Sequence, residues 1–195
     1  DIEVEMEKAL ENNEFKVYYQ PKISTKDNKM IAAEALVRWI KEDKIISPNE
    51  FIPIFEKNQF IVKLDKYIFE KVCQDIIKWK EKYSKIPIIS VNVSKEQFIY
   101  KNFKKEYENI LKKYDLKANE IEIEITESAT INNNIDILKI MKDIKEIGFI
   151  ISIDDFGTGY SSLNMLQTMP IDIIKIDKTF IDKIDIKNNK ENLVD

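Results

Sequence analysis

The chain has 195 residues, 44% of them hydrophobic and 10% aromatic, enough to bury a sizeable core as a single domain. Lys+Arg 31 against Asp+Glu 35 gives a net charge of -4 with both signs interspersed, which excludes a generic binder of DNA or RNA polymers. Histidine is absent and Cys73 stands alone, so imidazole chemistry, a disulfide framework and a cysteine-based zinc site are excluded; carboxylates, lysine, hydroxyls and hard metal ions remain.

No secretory signal and no long uncharged apolar run is found, from which a cytoplasmic location without membrane contact by this segment is expected, in a parent that can still be membrane-tethered. The chain starts at Asp1 without Met and stops at Asp195, which reads as a fragment of a longer protein. Arg38 is the only arginine in a lysine-rich sequence. It is either a surface residue or a bidentate phosphate contact of a kind lysine cannot make.

In chain order, Val4 to Asn13 reads as a charged amphipathic helix with Met6 and Leu10 at i, i+4, a lead-in over residues 1–13 from something upstream. Phe15 to Ile23 is strand-like, Ser24 to Asn28 is a turn, and Met30 to Trp39 is a second strand, together a hairpin. Ser47-Pro48-Asn49-Glu50 is a capping box with Pro at the first helical position, predicting a helix over 48–57. A longer helix is predicted over 63–82, with Cys73 on its apolar stripe as a core residue. Ile88 to Val93 is a strand, and Ser94 with Gln97 is expected to cap the turn after it.

Phe103, Tyr107, Ile110, Leu111 and Tyr114 mark another helix, and Ile121 to Thr126 alternates cleanly, isoleucines on one face and Glu122, Glu124 and Thr126 on the other. Asn133 to Glu146 is helical with Gly148 as its cap, and Phe149 to Asp154 is the next strand. A short helix over 162–167, a strand from Asp172 to Ile176 and a polar tail from Ile184 complete the chain. Alternating strands and helices after an opening hairpin predict an α/β fold with a mostly parallel sheet or barrel.

Polar residues recur toward the C-terminal ends of otherwise apolar strands: Glu34, Asn92, Glu124, Asp154 and Lys175. In a parallel barrel those ends converge on one mouth. Taken singly, each acid reads equally as a solvated charge or an ion pair, and Ile153 to Leu163, with two of the chain's 3 glycines at Gly157 and Gly159, reads as an Asp-rich turn or as a mobile loop beside a metal. Taken together, Glu34, Asn92, Glu124 and Asp154 form an all-oxygen set suited to Mg²⁺ or Mn²⁺, with Asp155 leaning toward a second ion. Two hard ions clamp a phosphodiester during displacement; Lys175 is placed to orient water or stabilise charge, Arg38 and Gln20 to hold phosphate.

Glu34-Ala35-Leu36 followed by Val37-Arg38-Trp39 resembles the signature of the EAL family of bacterial cyclic di-GMP phosphodiesterases. Gln20-Pro21, Asn92-Val93-Ser94, Glu124-Ile125-Thr126-Glu127-Ser128, Asp154 to Leu163 and Lys175-Ile176-Asp177 resemble its other motifs in the same order, from about Phe15 to Ile184. The resemblance implies a TIM-type (β/α)8 barrel with an antiparallel first strand, spanning residues 14–195, that opens cyclic di-GMP to linear pGpG with Mg²⁺ or Mn²⁺. It implies Glu34, Asn92, Glu124 and Asp154 as metal ligands, Asp155 at a second metal, Lys175 beside the attacking water, and Gln20, Leu36 and Arg38 on substrate. Glu127 would hold the loop of Gly157, Thr158 and Gly159, which couples metal binding to a homodimer.

The family's later Glu-Gly-Val-Glu-like and Gln-Gly-Tyr motifs do not occur. About two of eight strands are then missing, and an open barrel of impaired activity is expected. A non-catalytic cyclic di-GMP receptor, and a dimerisation or regulatory module attached to an upstream sensor or cyclase domain, are the competing readings.

Overall fold

The computed structural model describes residues 2–99, 102–130, 136–157 and 163–179. Helix α1 (Ile2–Glu11) leads into strands β1 (Phe15–Ile23) and β2 (Met30–Lys41), which pair antiparallel from Phe15↔Trp39 to Ile23↔Met30. The connection is a turn in which Ser24 N donates to Lys29 O and Asn28 takes φ 55, too short for the crossover a parallel pair needs. A third strand, β3 (Lys44–Ile46), extends β2 into a second small hairpin that the sequence reading leaves out. Its turn residues Glu42 and Asp43 both adopt positive φ.

Helices α2 (Pro48–Lys57) and α3 (Ile61–Lys80) then cross to β4 (Ile88–Asn92); α4 (Lys95–Ile99), α5 (Phe103–Lys113) and a 3-10 turn lead to β5 (Ile121–Thr126); α6 (Glu127–Thr130) and α7 (Ile137–Ile147) lead to β6 (Ile150–Phe156); α8 (Leu163–Thr168) leads to β7 (Ile173–Ile176). The strand order is β1-β2-β4-β5-β6-β7, with every pair from β2 onward along that path parallel. Among the described residues β1 and β7 are unpaired edges, so this is a TIM-type barrel left open, as expected.

Local signals explain the boundaries. Ser47 caps α2 through a full capping box, and Gly148, at φ 104, ends α7. The cap expected of Ser94 is not formed that way: its hydroxyl and N–H both donate to Asp65 of α3 instead. Residues 131–135 and 184–195, where parts of a helix and the tail were expected, lie outside the described residues.

The core sits between the outer face of the sheet and the helices. Phe15 and Trp39 of the first hairpin pack with Phe51 and Phe55 of α2, ring centroids 5.1 to 6.0 Å apart. Ile123, Ile125, Ile151 and Ile153 meet the buried stripes of α3, α5 and α7, and Cys73 is buried there, its thiol pushed up to about 12, chiefly by burial. Among the described residues no helix is long and apolar enough to cross a membrane.

Candidate active site

Period-two alternation sends the opposite residues of each strand inward. Register pairs Gln20 with Glu34, Glu34 with Ser90, Asn92 with Glu124, Glu124 with Ser152 and Thr126 with Asp154, so these polar side chains share the inner face. β6 has a register irregularity between Ile153 and Phe156, where Asp155 takes φ 56 and its N–H donates to Asp154 Oδ1 at 2.8 Å. Such a bulge re-aims side chains at a rim: Asp154 stays on the inner face while Asp155, exposed, borders the cavity beside it.

Three of the expected residues converge most tightly. One carboxylate oxygen from each of Glu34, Glu124 and Asp154 lies within 4.8 Å of the others. Lys175 Nζ sits among them, donating to Asp154 Oδ2 at 2.7 Å, Glu124 Oε2 at 2.8 Å and Glu34 Oε2 at 3.2 Å. Asn92 Nδ2 donates to Glu34 Oε1 at 3.1 Å, which places Asn92 on the same rim. Burial pushes the carboxyl of Glu124 up, but hydrogen bonds from Lys175 and Lys22 outweigh it and its net shift is down. For Lys175 burial works against the charge, yet Asp154 and Glu124 hold its pKa above the ordinary lysine range. Asp155 is raised by partial burial and by the Asp154 and Asp177 carboxylates.

A cavity of about 520 Å³ borders this cluster, lined by Leu36, Arg38, Asn92, Glu124, Thr126 and Asp155. Arg38 lies in it with Nη1 held on Val37 O at 2.8 Å, and Gln20 is exposed on the adjacent strand. Glu127, almost fully buried, accepts the N–H of Gly157 through Oε2 at 2.9 Å, where Gly157 takes φ 100. That conformation suits glycine alone without strain. Thr158 and Gly159 lie outside the described residues.

Two further groups brace this cluster and its surroundings and escape a reading of strand ends. Lys22 reaches Glu124 Oε1 at 2.7 Å and Glu122 Oε1 at 3.2 Å; its signal was its place two residues after Gln20, hence on the same face of β1. Asp65 accepts Ser94 N–H at 2.9 Å and Ser94 Oγ–H at 2.6 Å, tying the segment after Asn92 to α3. Its signal was an acid inside the apolar stripe of a helix.

On the inner face Glu34, Glu122, Glu124 and Asp154 outnumber the ammonium groups of Lys22 and Lys175. An all-oxygen cluster with excess negative charge and a cation already drawn into its centre fits a hard divalent ion.

The family model for the EAL domain matches residues 3–195. Signaling protein YkoW of Bacillus subtilis is 38% identical over 192 residues, 98% of this chain and 24% of that protein. Cyclic di-GMP phosphodiesterase PdeR of Escherichia coli is 32% identical over 194 residues, 99% of this chain and 29% of that protein. The chain thus spans about a quarter of the length of such curated relatives. Among solved structures, the PaMucR phosphodiesterase in complex with c-di-GMP superimposes with a TM-score of 0.86 at 33% identity, over 93% of this chain and 74% of that one. An open parallel barrel whose hairpin, acid triad and lysine follow this order, matched by the family model along nearly its whole length, belongs to the EAL domain family of cyclic di-GMP phosphodiesterases.

Proposed function

We propose that the domain containing this chain hydrolyses cyclic di-GMP to linear pGpG with Mg²⁺ or Mn²⁺, in bacterial second-messenger signalling. The observation that carries the reading is the cluster of Glu34, Glu124 and Asp154 around Lys175 Nζ, beside a cavity containing Arg38. Glu34, Asn92, Glu124 and Asp154 would hold one ion, with Asp155 serving a second. A divalent ion bound there supplies charge neutralisation at the phosphate and acidifies water.

The chain's own residues do the rest. Arg38 and Gln20 bind phosphate at the cavity side, Leu36 offers an apolar wall, and Lys175 orients water and offsets the charge that develops as the phosphodiester opens. Glu127 fixes the turn at Gly157 and so the position of Asp154 and Asp155 before it. We place residues 1–13 as a lead-in from an upstream sensor or cyclase domain, residues 14–195 in the EAL domain, and the whole in the cytoplasm as a homodimer.

Among the described residues the inner wall between β7 and β1 is open, and the family's glutamate-bearing later motif is not in this sequence, so this segment alone is expected to turn over slowly. The test is cyclic di-GMP hydrolysis in Mn²⁺ by this chain and by a chain extended through that motif. The extended chain is expected to be active and to lose activity on Glu124→Gln. Tight cyclic di-GMP binding with no hydrolysis by the extended chain would make it a receptor instead.

A further inference from the structure

Below the acid cluster, the inner face of β5 carries a second buried glutamate, Glu122, one pleat from Glu124 and 2% exposed. Lys22 approaches from β1, which is separated from β5 in the sheet by β2 and β4, so its side chain crosses the barrel interior. β1 runs antiparallel to β2, and Lys22, opposite Ala32, therefore lies farther from the mouth than Gln20, opposite Glu34. The two oxygens of Glu124 are divided between two ammonium groups: Oε1 accepts from Lys22 at 2.7 Å and Oε2 from Lys175 at 2.8 Å. Lys22 also holds Glu122 Oε1 at 3.2 Å.

We propose that Lys22 is a positioning residue for the divalent-ion site: it neutralises Glu122 and fixes Glu124 Oε1, so that Oε2 alone faces Glu34 and Asp154. The ion is then held at the mouth, beside the cavity, and not deeper between two glutamates. The inference rests on the ion site of the proposed function. Two carboxylates one pleat apart in a water-poor interior repel each other and attract any cation that reaches them. A compact ammonium on a long stem meets oxygens on two pleats at once, and it is itself the cation that occupies the deeper position.

The experiment is Mn²⁺ binding by calorimetry to the metal-stripped full chain. Lys22→Met is expected to bind Mn²⁺ about tenfold more tightly, because a cation beside a ligand is removed and a second carboxylate is released. Adding Glu122→Gln to Lys22→Met is expected to return most of that gain, and Lys22→Arg to stay within about threefold of the parent. A merely structural lysine would weaken binding when removed, with no reversal by Glu122→Gln. Unchanged or weaker binding in Lys22→Met, or a double variant that matches it, overturns the proposal. Should Lys22→Met fail to fold, Lys22→Gln, which keeps a donor to both carboxylates without the charge, is read the same way. No Mn²⁺ binding by the parent overturns this inference together with the ion site, whereas absent hydrolysis with this binding pattern intact counts against the proposed reaction alone.

Discussion

On its outer face the sheet presents Phe15, Trp39, Ile123 and Ile151 to the helices, whereas its inner face carries Glu34, Glu122, Glu124 and Asp154 against Lys22 and Lys175. The same strands make both, since alternate residues point to opposite sides. Outer contacts are non-directional and scale with apolar area removed from water, so they need no bound cation to stabilise the fold. The inner face holds charges whose repulsion the two lysines offset only in part, so its stability depends on which cations are present. The helices thus support the barrel while the inner acids stay available for chemistry.

Substitutions that strike one face and spare the other test this contrast. Trp39→Ala on the outer face should cost about 4 kcal/mol, read by urea unfolding, with no recovery in Mn²⁺. Recovery by the ion would break the separation of the faces.

Asp65 is the exception, an acid among the outer helices. Burial pushes its carboxyl up to about 7, against opposing hydrogen bonds from Ser94. Because this lies above the unfolded value of about 4, the folded protein keeps a proton that the unfolded chain releases. The stability it contributes is present at low pH and is lost as pH rises through about 7. Asp65→Asn should therefore gain on the parent between pH 4 and 8, on the order of 3 kcal/mol. A difference that does not change with pH would remove Asp65 as the cause.

On the inner face, Lys175→Met leaves three carboxylates without their shared ammonium. The metal-free protein should lose about 2 kcal/mol, less than a fully buried pair because the site is partly open to water. Millimolar Mn²⁺ should restore it in a calorimetric scan, and failure to do so would sink the ion site. The smallest effect is expected for Glu127→Ala, about 1 kcal/mol, with faster hydrogen exchange at the Gly157 amide that has lost its acceptor.

Much of the fold was legible because its signals are local. The alternation of Ile121 to Thr126 gave β5 its bounds and both faces, the Ser47 box gave α2, and Gly148 gave the end of α7. β3 was missed because three residues carry too little periodicity to register. The bulge at Asp155 was also hidden, since an aspartate does not announce a positive φ as a glycine does. Of the clustered residues, Glu34, Glu124, Asp154 and Lys175 follow from their places toward strand ends, while Lys22 does not, because β1 runs antiparallel to β2 and carries Lys22 farther from the mouth than Gln20.

The sequence by itself determined the order of the longer strands and helices and which side chains leave each strand on the same face, because both follow from periods of 2 and 3.6 residues in the local pattern. Only the tertiary structure decided which of those side chains meet. Glu34 and Lys175 stand 141 residues apart, on strands that are not neighbours in the sheet, and the curvature of the barrel brings them to 3.2 Å. The division of Glu124 between two lysines has the same origin, since it depends on the distance across the barrel interior and no spacing along the chain encodes it.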